Sequence, residues 1–199
     1  STESSPILAN CTFTNNSADT GGGMHSDSSI PTLTDCTFGG NLARYGGGMS
    51  NAGSSSPTLG NCTFMSNSAE FDGGGMYNDF SNPILDSCAF ASNLASDGGG
   101  MYNTESSPIL TDCTFTGDSS SGYGGGMCND SSTPTLTSCT FTSNSALVGG
   151  GIRNLDSSPI LTDCTFASNS AVFGGGGMDN LGSEPTLDNC TFTSNSAGN

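Results

Sequence analysis

Apolar residues recur along this chain at a few fixed places in a phrase of 25 or 26 residues, and small or polar residues fill the positions between them. One copy reads roughly S-S-P-[TI]-L-x-[DN]-C-T-F-x-S-N-S-A-x-x-G-G-G-M-x-N. Pro6, Pro31, Pro57, Pro83, Pro108, Pro134, Pro159 and Pro185 mark the copies, and they are all the prolines present. A fixed period in this range signals a solenoid, in which each repeat packs only on its neighbours. The expectation is one all-β domain over residues 1–199.

Three inward-facing segments stand out in each copy. Leu8 and its equivalents, up to Leu187, each sit between variable small residues and so face inward from a first short strand. In Cys-Thr-Phe, strand alternation sends cysteine and phenylalanine inward and threonine outward. The third segment is a glycine run followed by Met24, Met49, Met76, Met101, Met127, Ile152 or Met178. Proline fixes a corner ahead of the leucine. The short polar residue before the cysteine, Asn10, Asp35 or an equivalent, makes another. Asn16, Asn41, Asn67, Asn93, Asn144, Asn169 and Asn195 share one position, broken only by Asp118, and amides stacked in this way bond from coil to coil. Ala18 and most of its equivalents suit a tight interior corner. The reading is nearly eight coils of three short strands each, a rod on the order of 37 Å long at about 4.8 Å per coil.

Charge constrains the surroundings of this rod. Two basic residues face 18 acidic ones, a net charge of -16, which argues against nucleic acid or an anionic membrane as partner. No apolar run is long enough to span a bilayer, and the chain opens without a charged-then-apolar leader, so it reads as mature or excised. Carboxylates gather in the turns, notably Asp27, Asp79 and Asp130 after their methionines. Calcium held there is one remedy for stacked like charges, and a solvated edge is the other.

The chain has nine cysteines, and disulfides, a metal or a core could account for them. Eight share one coil position, about one strand spacing apart, which is wider than the Cβ separation of a bridge. Metal-type cysteine pairs are missing and His25 is the only histidine. A buried, unbridged thiol column is expected. Cys128, next to the inward Met127, is expected to face outward beside Tyr102 and Arg153, as an idle surface thiol or as a cross-linking point.

The F-x-x-N segment followed by G-G-G-M resembles the paired repeats of bacterial polymorphic outer-membrane proteins and, more broadly, right-handed parallel β-helix proteins of the pectate-lyase-like kind. The likeness runs along the whole chain, with G-G-G-M where those repeats usually carry G-G-A-[ILV]. It implies a right-handed parallel β-helix, secreted or displayed on a bacterial surface, often as an adhesin or a stalk.

Four function classes follow. A pectinolytic enzyme needs grouped carboxylates and basic residues for an acidic sugar. Arg44 and Arg153 are the only bases besides His25 and lie coils apart, so no catalysis is expected. Ice binding would use outward T-x-T pairs, but these are interrupted by Gly39, Met65, Ala89, Ala91 and Ala167. An adhesive or glycan-binding module would use the partly exposed aromatics Tyr45, Phe71, Tyr123 and Phe173. A fibre subunit explains the most, with Leu8, Cys11 and Phe13 of one copy stacking on Leu187, Cys190 and Phe192 of another. The expectation is an extracellular or cell-surface rod that polymerises head to tail without a cofactor, with the adhesin as runner-up.

Overall fold

The computed structural model describes residues 4–198. Every regular element among them is a strand. The leucine strands run from Ile7–Ala9 to Thr186–Asp188 and form one eight-stranded sheet; the phenylalanine strands, Thr12–Thr14 to Thr191–Thr193, form another. The methionine strands, Met24–Asp27 to Met178–Leu181, make a seven-stranded sheet. All pairing is parallel, each strand bonding to its equivalent in the next coil, as in Phe115 opposite Phe141 and Met101 opposite Met127.

A fourth sheet corrects the expected three strands per coil. It has seven strands, from Leu42–Tyr45 to Ser196–Ala197, and carries the small residue assigned above to a corner. Ala43, Ala69, Ala95, Ala146 and Ala171 point inward from it and are buried. The coil therefore has four sides, and each ends at a left-handed residue. Asp112, Gly117, Gly124 and Ser131 turn one coil at φ of 50, 65, 61 and 52°. Aspartate, serine and glycine suit these positions because short polar side chains tolerate the left-handed region and glycine has no Cβ.

Inside, equivalent residues form columns. Leu33 to Leu161, Cys36 to Cys164, Phe38 to Phe166 and Met49 to Ile152 make one continuous core. The phenylalanine rings stack nearly parallel, with centroids 4.5 Å apart between Phe166 and Phe192 and 4.9 Å between Phe141 and Phe166. All nine cysteines are free thiols, as the column reading expects. Each column thiol donates to a nearby carbonyl, as Cys139 Sγ does to Thr137 O at 3.4 Å. The next thiol in the column, then burial, pushes Cys88 and Cys113 up to about 12, so neither is nucleophilic at neutral pH. A thiol reagent should label all nine sites after denaturation without reductant, and no more than Cys11 and Cys190 in the native protein. Labelling of more than two native sites would contradict the closed core.

The asparagine ladder is present. Asn41 Nδ2 donates to Asn67 Oδ1 at 3.0 Å and to Phe13 O at 2.8 Å, and the pattern continues through Asn195 except at Asp118, whose side chain only accepts. A second ladder climbs the methionine strands from Asn51 through Asn78, Asn103, Asn129 and Asn154 to Asn180, with bonds of 2.8 or 2.9 Å. It stops at Ser26, whose hydroxyl and the facing Asn51 Oδ1 are both buried without a partner. A shorter serine series, Ser81, Ser106, Ser132, Ser157 and Ser183, links backbone N–H to hydroxyl at the corner before proline. These bonds satisfy polar groups that the narrow interior would otherwise strand.

Candidate functional site

Two of the four outer faces largely repeat themselves. The leucine sheet shows mostly isoleucine or threonine and the phenylalanine sheet mostly threonine, whereas the alanine sheet carries Asp19, Arg44, Glu70, Ser96, Ser121, Leu147 and Val172 at one outward position. The methionine sheet varies as well. Its outward column reads His25, Ser50, Tyr77, Tyr102, Cys128, Arg153 and Asp179 in consecutive coils and in strict register. Alongside runs the loop residue before the glycines: Thr20, Tyr45, Asp72, Asp97, Tyr123, Val148 and Phe173. All four tyrosines of the chain lie in these two columns. A strand position that is neither core nor corner is free to vary without harming the fold, and that freedom permits chemistry here.

The aromatic stripe expected at Tyr45, Phe71, Tyr123 and Phe173 is not continuous. Tyr45 and Phe71 touch, with centroids 5.3 Å apart. Asp72 and Asp97, paired in adjacent coils, then interrupt the column before Tyr123. Phe173 lies beyond Val148 and is half exposed. The run instead crosses to the methionine sheet, from Tyr45 to Tyr77 at 5.3 Å and from Tyr77 to Tyr102 at 5.8 Å. Tyr77 and Tyr102 were legible only as the variable residue after methionine.

Beyond Tyr102 a cavity of about 240 Å³ opens, lined by Asp97, Tyr102, Tyr123, Cys128, Asp130, Arg153, Leu155 and Leu181. Cys128 does lie between Tyr102 and Arg153, but it is 4% exposed rather than a surface thiol. The long side chains on either side cover it. Arg153 forms an ion pair with Asp179 and lies over the Tyr123 ring, 5.5 Å from its centroid. Burial, then the carboxylates of Asp97, Asp72 and Asp130, hold the Cys128 thiol well above its ordinary value. It is a neutral patch of floor. The Asp97 carboxylate accepts the Tyr123 N–H at 2.7 Å. Burial, then Asp97, raises Asp72 to about 6, and burial raises Asp97 as well. This face therefore sheds negative charge as the medium turns mildly acidic.

The calcium reading meets a geometric obstacle. Ala52 stands between Asp27 and Asp79, and Thr104 between Asp79 and Asp130, so the three carboxylates are never in adjacent coils. Asp27 and Asp130 each accept a hydrogen bond from the following serine instead. Among the described residues no three His, Cys, Asp or Glu side chains gather as a metal site. The assembly residues Leu8, Cys11, Phe13, Leu187, Cys190 and Phe192 occupy the first and last coils. Leu8, Cys11, Phe13 and Cys190 pack partly against the core, and Leu187 and Phe192 are each 45% exposed.

Residues 53–199 match the family described as right handed beta helix region. The chain belongs to this family. No curated protein matches the sequence. As a right-handed β-helix, the chain winds its coils in the sense that parallel crossovers favour generally. The match also fits the resemblance to pectate-lyase-like repeats drawn from F-x-x-N and G-G-G-M.

Proposed function

We propose that this β-helix is a rod-forming segment of a bacterial surface or extracellular adhesin, and that it binds a glycan through the groove on its varied face. One observation carries the reading: two varied columns meet at Tyr102, and there they enclose a groove lined by aromatic rings and carboxylates. Tyr102 and Tyr123 offer aromatic faces to sugar C–H groups, and Asp97 and Asp130 offer acceptors to hydroxyls. The face has no constellation of nucleophile, base and oxyanion donors, so the proposed role is binding rather than catalysis.

A glycan array with the purified protein tests this. Tyr102→Ala should weaken the best hit by about tenfold or more, since it removes one wall of a small site. An array with no hits from folded protein would overturn the reading. Fibre formation remains a second proposal, favoured by Leu187 and Phe192, which a further coil of the same chain or of another copy would cover. Electron microscopy showing only single rods at high concentration would count against self-assembly.

A further inference from the structure

Asp118 is the one acid in the buried asparagine ladder, and its surroundings are built for an amide. In the neighbouring coils the side-chain Nδ2 makes two bonds, one to the next Oδ1 and one to the carbonyl of the preceding phenylalanine. Asn93 gives these to Asp118 Oδ1 at 2.9 Å and Phe64 O at 3.0 Å, and Asn144 to Asn169 Oδ1 and Phe115 O, both at 3.0 Å. Asp118 keeps the acceptor half: Oδ1 takes the Asn93 amide, and its own N–H reaches Asn144 Oδ1 at 2.9 Å. Its Oδ2 stands where the others place nitrogen. A Cβ on Gly100 would meet Asp118 Oδ2 at 2.9 Å, just as one on Gly126 would meet Asn144 Nδ2 at 3.2 Å. That oxygen is buried and has no donor. Register aims it at the Asn144 amide oxygen and the Phe90 carbonyl, both acceptors.

We propose that Asp118 is an acid-sensitive lock in the middle of the rod: it completes the ladder only as the protonated carboxylic acid, and its ionisation loosens the coils on either side.

Only a proton turns Oδ2 into the donor that both facing oxygens require. As a carboxylate, Asp118 would confront those oxygens with a charge that the two Asn93 N–H groups on Oδ1 offset only in part, at 0% exposure. Asn93, Asn144, Gly100 and the Phe115 ring pack around it, and none is charged or titrates. No charged group acts on it from any side: burial is the leading cause that raises it to about 7, opposed by hydrogen bonds from Asn93 and Thr116. The sign follows. An acid raised in the folded state gives stability that is complete below its unfolded value and is lost as pH climbs through its folded one. The lock is closed in mildly acidic surroundings and opens above neutrality. Gly100, which Asp118 Oδ2 faces, leads directly into the strand that carries Tyr102.

The test compares the wild type with Asp118→Asn, a residue every equivalent coil accommodates. The advantage of Asp118→Asn over the wild type should widen between about pH 4 and pH 8 to roughly a thousandfold in the folding equilibrium, the span of a carboxyl moved by about three units. Differencing removes the shared titrations of Asp72 and Asp97. Hydrogen exchange of the wild type should speed up with pH, beyond intrinsic chemistry, first around residues 93, 118 and 144. A pH-independent difference between the proteins would overturn the proposal. So would a ¹³C carboxyl signal for Asp118 that titrates near the ordinary aspartate value of about 4.

Discussion

Gly125→Ala is expected to unfold the centre of the rod, with a loss above about 4 kcal/mol in denaturant titration followed by circular dichroism. Gly125 is the middle glycine of its run, where the chain turns from the alanine side onto the methionine side. An added Cβ would lie 2.4 Å from Ser145 O and 2.5 Å from Gly150 O, both backbone atoms of the next coil. Neither can retreat alone, because Gly150 O already accepts the Gly126 N–H at 3.2 Å within the inter-coil ladder. Gly60→Ala is the control. It lies in a leucine strand with nothing within 4 Å of the new methyl, and should change stability by no more than about 0.5 kcal/mol. Equal stability for the two variants would mean that the coils do not approach each other as described.

Phe141→Ala should cost about 3–5 kcal/mol. The ring is 0% exposed and lies between Phe115, at 4.6 Å, and Phe166, at 4.9 Å. Coil spacing is fixed by backbone hydrogen bonds on four sides, so the neighbouring rings cannot slide together to close the gap. Phe192→Ala, at a half-exposed ring in the last coil, should lose much less. A loss below about 1 kcal/mol for Phe141→Ala would place its ring outside the core.

What was legible in the sequence follows from how strongly each position is constrained. Leucine, cysteine, phenylalanine and methionine each stand alone among small residues, so their inward direction could be read without knowing the number of sides. The ladder at Asn41 and Asn67 was equally plain, because an amide repeated in every coil but that of Asp118 has few other uses in an otherwise apolar register. The fourth side was not. Ser-Ala is too short to show alternation, and alanine fits a corner or a strand equally well. Cys128 was placed beside the right neighbours, but its burial depends on how Tyr102 and Arg153 fold over it, which register alone does not tell. That Asp27, Asp79 and Asp130 never lie in adjacent coils was not read either, because they were compared by position within the coil and not by which coils separate them. Tyr77 was passed over, and Tyr102 was read only as a neighbour of Cys128, because the variable loop drew the aromatic reading towards Tyr45 and Phe71. The groove exists only where the two columns meet.

Parallel pairing between equivalent strands has a mechanical consequence. Every inter-coil hydrogen bond lies along the rod axis, so a pull on the two ends of the winding would load the terminal coil first and leave the next untouched. A β-helix of this kind would peel, at modest force, in near-equal steps. Each coil of 25 or 26 residues releases about 80–90 Å of chain when drawn out straight. Tension at an anchoring surface would then be absorbed one winding at a time, and each freed winding could rewind on the intact face it left behind.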